Sequence, residues 1–155
     1  MTVRAQDVVA AFIAKGVTAA TAESLTAGLV AATLADVPGA SGMLRGGVVS
    51  YASEVKAGLL DVSPQLLAEV GSVDAEVARQ MAQGARAACG ADYGVSTTGV
   101  AGPDALDGKP VGTVFVAVAG PDRTAVRECH FSGSRGEIRQ AARDAALELL
   151  FAAIS

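Results

Sequence analysis

Thr21-Ala-Glu-Ser-Leu-Thr-Ala-Gly28 contains the residue best suited to covalent chemistry in this chain, Ser24. It stands where a short β-like run, Gly16-Val-Thr-Ala-Ala20, gives way to a helical pattern over residues 25–34. A serine at a strand-to-helix turn lies beside backbone N–H groups without partners, a place for a nucleophile, an anion, or both. Helix capping is the plainer role for a serine there. Two further segments share the same glycine- and hydroxyl-rich character: Gly46-Gly-Val-Val-Ser-Tyr51, followed by Lys56, and Thr97-Thr-Gly-Val-Ala-Gly-Pro103, which runs into a loop over residues 104–112. Ligands in open α/β sheets bind at strand ends and helix starts, where all three segments are expected.

A serine without a nearby histidine can be activated by a lysine whose pKa burial has lowered, or by a tyrosine acting with it. Lys56 follows the Tyr51 strand end in apolar surroundings and is the candidate base, although an exposed helical lysine is the commoner situation. Tyr51 either anchors the strand end or takes part in proton transfer. Glu23 can orient the lysine or stabilise the helix dipole. Thr97, Thr98 and Gly99 can form an oxyanion hole, a substrate amide contact, or an ordinary strand end. Arg135 and Arg139 lie one turn apart and suit a phosphate or carboxylate, or a solvated surface pair. His130 is the only histidine, reads as structural, and has no evident acid partner nearby in sequence. The glycine-rich segments match neither the nucleotide-triphosphate loop pattern nor a dinucleotide-binding turn.

These residues must be positioned by a small-residue core. The chain has 155 residues, 51% hydrophobic and 18% charged, which fits a single domain over residues 1–155. With 18 glycines, no Trp and 4% aromatics, Ala, Val and Leu must build that core. The net charge of −4 and the lack of any basic run argue against a duplex nucleic-acid partner. Cys89 and Cys129 form no metal-ligand spacing and read as buried reduced thiols, and a metal site is not expected. No apolar run reaches membrane-spanning length and the N-terminus lacks an apolar signal core, so cytoplasmic residence is expected, without a membrane partner.

Apolar periodicity predicts a first helix over residues 5–15, with Val8, Val9, Phe12 and Ile13 on one face and Gly16 as its stop. A strand over 17–22 and a helix over 24–35 follow, then a strand over 46–51 and a short helix that Ser53 can cap. Ser63-Pro64 marks a short helix ending near Gly71, and residues 74–89 form another with Val77, Met81 and Ala85 in register. Strands are predicted over 93–97, 112–119 and 125–131, the last two joined by a turn too short for a crossover and therefore an antiparallel hairpin. Ser134-Arg-Gly-Glu137 is a capping-box pattern opening a helix with an inward stripe of Ile138, Ala142, Ala145, Leu149 and Ala152. The fold expected is α/β, a three-layer α/β/α sandwich with a mixed sheet of about five strands.

Five pieces in order resemble the CinA C-terminal domain family of nicotinamide-nucleotide amidohydrolases. They are Thr21-Ala-Glu-Ser-Leu-Thr-Ala-Gly28, Gly46-Gly-Val-Val-Ser-Tyr51 with Lys56 and Leu59-Leu60, Thr98-Gly-Val-Ala-Gly-Pro103, Lys109-Pro-Val-Gly-Thr-Val114, and Phe131-Ser-Gly-Ser-Arg135 with Ile138-Arg139. The resemblance implies hydrolysis of the carboxamide of nicotinamide mononucleotide to nicotinate mononucleotide and ammonia, without a cofactor or metal. It implies Ser24 as nucleophile, with Lys56 and Tyr51 activating it and moving the proton to the leaving ammonia. Backbone N–H groups near Leu25 and Thr26, or at a Thr98-Gly99 turn, would hold the oxyanion. Glu23, Thr26, Thr98, Gly99 and Gly102 are implied around the substrate, with Arg135 first and Arg139 second as the phosphate contact. Departures from the family pattern are Leu25 in place of a common Cys, Ala27 in place of a common Gly, Ser134 in place of a frequent acid, and fewer glycines over residues 104–108. They alter the pocket wall.

Longer family members carry an N-terminal molybdopterin-cofactor-like domain, so the expectation is a stand-alone version. Members commonly self-associate, which implies a homodimer or higher homo-oligomer. Two other functions fit the residues: a non-catalytic nucleotide-binding or interaction module, and a hydrolase of a different small amide.

Overall fold

The computed structural model describes residues 2–155. In chain order the helices are α1 (Ala5–Lys15), α2 (Leu29–Ala35), α3 (Ser53–Leu60), α4 (Pro64–Val70), α5 (Ala75–Cys89) and α6 (Arg135–Ile154). The strands are β1 (Ala19–Glu23), β2 (Leu44–Val49), β3 (Tyr93–Gly99), β4 (Thr113–Ala119) and β5 (Thr124–His130), in the spatial order β2-β1-β3-β4-β5. β1 pairs in parallel with β2 and β3, whereas β3–β4 and β4–β5 are antiparallel. The sheet is therefore mixed, with the expected hairpin at its β4–β5 end.

Helices cover both faces. One layer is α1, α2 and α6, whose Val8, Phe12, Leu34, Ile138 and Leu150 share a core with Val95 and Val116. On the other face α5 lies across the sheet, with Met81 and Ala85 against Ala20 and Ala22, and Ala78 and Ala82 against Phe115 and Ala117. Small residues let α5 approach this closely. A Cβ on Gly94 would collide with the Ala82 carbonyl, so glycine is required there.

The helix expected over residues 24–35 begins only at Leu29. Residues 24–28 form turns instead, with Ala27 at φ 49° and Gly28 at φ 101°, and Gly28 is the N-cap. Ser24 therefore caps no helix. Ala52, not Ser53, is the N-cap of α3. Ser63 with Pro64 and the Ser134–Glu137 box cap α4 and α6 as their sequences predict, while Asp74, expected inside the helix, is the N-cap of α5. Ile13 is 46% exposed and Ala152 is exposed, so neither belongs to its predicted buried stripe, and Ile154 closes the inner face of α6. Both thiols are free and half-buried rather than fully buried. None of the described helices is long and apolar enough to cross a membrane.

Topology brings the chemistry to one edge. Because β1, β2 and β3 run parallel, Ser24, Ser50 and Gly99 leave the sheet on the same side. β4 starts and β5 ends there too, with Thr113 paired to His130, so α6 begins beside the same edge.

Candidate active site

Ser24 extends β1 by one residue, its N–H donating to the Thr97 carbonyl at 3.0 Å. Its hydroxyl is met from below by Lys56. A helical side chain leans toward the N-terminus of its own helix, and Lys56 on α3 reaches back past that end. Its Nζ donates to Ser24 Oγ at 2.9 Å, the Ser50 carbonyl at 2.8 Å and the Tyr51 carbonyl at 3.1 Å. Lys56 is 0% exposed, and no carboxylate pairs with it among the described residues. Burial lowers its pKa from 10.5 to about 8, the more distant Asp107 charge opposing the shift.

That geometry decides where a neutral Lys56 amine would act. Carbonyl oxygens can only accept, so two N–H groups remain on Ser50 and Tyr51. The lone pair is then left for Ser24, the one partner with a proton to give. The pair can deprotonate its own serine and return the proton later.

The turn carrying Ser24 is held from two sides. Glu23, 1% exposed, accepts from Thr26 Oγ1 at 2.6 Å, Val30 N at 2.8 Å and Ala31 N at 3.0 Å. Its carboxylate thus serves as the cap that Gly28 lacks, at the positive end of α2. Thr26 gives its hydroxyl proton to Glu23 and therefore accepts from Thr97 Oγ1, 2.7 Å away. Arg139 donates from Nε to the Leu25 carbonyl at 2.8 Å and from Nη2 to the Thr26 carbonyl at 3.1 Å. The N–H groups of Leu25 and Thr26 have no acceptor among the described residues.

A cavity of about 270 Å³ opens on Ser24, walled by Leu25, Tyr51, Gly99, Gly102, Asp104 and Arg135 among others. Arg135 bridges its rim, donating to the Gly102 carbonyl and, at 2.9 Å, to Tyr51 Oη. The loop that forms the far wall is moored by Asp107, whose Oδ2 accepts from Ser72 N and Ser72 Oγ, both at 3.0 Å.

Among the expected site residues, Ser24 and Lys56 meet directly, and Tyr51, Gly99, Gly102 and Arg135 line the same cavity. Several others sit elsewhere. The Tyr51 hydroxyl makes no hydrogen bond to Ser24 or Lys56, because the side chain is 57% exposed at the rim and held by Arg135. Glu23, Thr26 and Arg139 do not line the cavity; they brace the Ser24 turn behind it. Thr98 is turned away, donating to the Ser72 carbonyl at 2.6 Å. Thr98 and Gly99 form no turn but lie within β3, paired with Phe115 and Val114. His130 has an acid partner after all, Glu128 at 2.6 Å on the same exposed face of β5.

Sequence reading missed three parts of the arrangement. The Ser50 and Tyr51 carbonyls that grip Lys56 are backbone atoms and leave no side-chain signature. The Ser72–Asp107 mooring joins residues 35 apart, beyond any local spacing rule. Asp104 carried a signal only as a charged residue in the loop beside Gly102-Pro103.

A family model described as CinA C-terminal domain matches residues 2–154. A CinA-like protein from Frankia casuarinae is 50% identical over 138 residues, which make up 89% of this chain and 32% of that protein. Another, from Geobacter sulfurreducens, is 47% identical over 140 residues, 90% of this chain and 34% of the relative. The chain thus spans about a third of the length of the curated relatives it matches. The crystal structure of the competence/damage inducible protein CihA from Agrobacterium tumefaciens superposes with a TM-score of 0.92 at 33% identity, covering 98% of each chain.

Proposed function

The chain belongs to the CinA C-terminal domain family, and on that premise we propose that it is a serine amidohydrolase. Its substrate in this reading is the carboxamide of nicotinamide mononucleotide, and its products are nicotinate mononucleotide and ammonia. The observation that carries the reading is the contact between Lys56 Nζ and Ser24 Oγ at the floor of an open cavity. A capping or phosphate-binding serine has no need of a wholly buried lysine, whose charged form burial disfavours.

In this mechanism the neutral Lys56 amine takes the Ser24 proton as Oγ attacks the carboxamide carbon. The oxygen that becomes negative is held by the unpartnered N–H groups of Leu25 and Thr26. Collapse of the tetrahedral intermediate breaks the C–N bond while the Lys56 ammonium protonates the departing nitrogen, which leaves as ammonia. Water then attacks the acyl ester, Lys56 removes its proton, and Ser24 is regenerated by the same proton returned. Tyr51 takes no part in the proton transfer; its hydroxyl positions Arg135, the contact for the phosphate. Glu23, Thr26 and Arg139 are positioning residues for the turn bearing the nucleophile.

The test is ammonia release from nicotinamide mononucleotide. Wild-type protein should release it, and Ser24→Ala should not, while retaining its fold by circular dichroism. Full turnover in Ser24→Ala would reject the serine mechanism.

A further inference from the structure

The cavity carries two charges that the rest of the protein does not neutralise. Arg135 is the one cation on its wall and Asp104 the one carboxylate. They form no ion pair with each other or with any other described residue. Arg135 donates only to neutral oxygens, the Gly102 carbonyl and Tyr51 Oη. Asp104 accepts no hydrogen bond from any described residue, whereas Asp107, three residues on, is tied to Ser72. Ion pairs do form elsewhere, Arg127 with Glu148 at 3.2 Å and Arg143 with Asp144 at 2.8 Å. Two opposite charges left separate in one small cavity keep their attraction for a ligand that carries both signs.

Resting on the amidohydrolase reading above, we propose that Asp104 is a specificity-determining residue that selects substrates with a positively charged heteroaromatic ring. The site then takes a dipolar amide, its anionic group against Arg135 and its ring cation against Asp104. The backbone adds to the anion side, since the N–H groups of Ala101 and Gly102 have no acceptor among the described residues. The selection has a chemical consequence. A ring cation withdraws electrons from the attached carboxamide and makes its carbon easier for Ser24 to attack, whereas a reduced, uncharged ring donates electrons and resists attack. Asp104 thus favours the form of the substrate that the nucleophile can use.

Calorimetric titration of the Ser24→Ala protein, which cannot form an acyl ester, separates the two charges. Three probes suffice: nicotinamide mononucleotide with both charges, nicotinamide riboside with the ring cation alone, and reduced nicotinamide mononucleotide with the phosphate alone. Adding Asp104→Asn should weaken the two cationic probes by about fivefold and leave the reduced one within about twofold. Adding Arg135→Met should weaken the two phosphorylated probes by about tenfold or more and spare the riboside. Asp104 is exposed and free of hydrogen bonds, so its replacement leaves the fold intact. Equal weakening of all three probes by Asp104→Asn, no weakening of the cationic ones, or no binding of any probe would overturn the proposal. Charge-selective binding without ammonia release by the wild type would reject the amidohydrolase reading and leave the selection standing. Turnover with unselective binding would do the reverse.

Discussion

Lys56 has three hydrogen-bond partners, and only Ser24 can return a proton to it. With its pKa lowered by burial to about 8, the amine is mostly charged at neutral pH and becomes a base as the pH rises. Turnover should therefore climb about tenfold per unit on the acid side and level off above pH 8 in a kcat/KM profile. Lys56→Arg should be inactive throughout, because guanidinium keeps its proton. The same shift acts on stability. Between pH 8 and 10.5 the unfolded lysine binds a proton that the folded one has released, so folding gains stability with rising pH across that window. Relative to Lys56→Met, urea-melt stability of the wild type should improve by about 3 kcal/mol from pH 7 to pH 10.5. A constant difference between the two proteins over that range would contradict a buried, perturbed lysine. Sequence alone suggested the residue but not its complete burial, which comes with its reach from α3 to the ends of β1 and β2, where Ser24, Ser50 and Tyr51 surround its amine.

Placement of Ser24 depends on short elements more than on long ones. The turn over residues 24–28 contains two residues with positive φ and is held by the Glu23 cap and the Arg139 clamp. Glu23→Gln removes a buried charge from the start of α2 and should cost about 2 kcal/mol, lowering Tm by roughly 4–8 °C. Arg139→Met should lower kcat with KM nearly unchanged, since it loosens the Ser24 turn without touching the cavity. A selective rise in KM would instead place Arg139 on the substrate. Two helix starts with a side-chain cap were legible from sequence, at Ser63 and Ser134. The start of α2 was not, because its cap is a carboxylate from the preceding strand, reaching across a turn to Val30 and Ala31. Strand ends shifted by a residue or two for a similar reason: apolar runs locate a strand, while pairing with its neighbours sets where it stops.

At the scale of the whole molecule, the layered α/β/α architecture and the β4–β5 hairpin followed from alternating elements and one short connection. The strand order, with β1 between β2 and β3, was not legible because it depends on which helices cover which face. Yet that order is what makes the site. It gathers the ends of β1, β2 and β3 and the start of α6, so residues from 24 to 135 share one cavity. Within β3, the alternation of a strand parts candidates adjacent in sequence, Gly99 on the cavity and Thr98 bonded to Ser72. In the proposed mechanism Ser24 and Lys56 act together as nucleophile and base. Its most direct test is intact-protein mass spectrometry with ammonia quantified in parallel, during turnover of nicotinamide mononucleotide by wild type, Ser24→Ala and Lys56→Met. Wild type alone should release ammonia, with an acyl adduct on Ser24 trapped by acid quench, and both variants should lose at least about a thousandfold. Ammonia release that survives in either variant would contradict it.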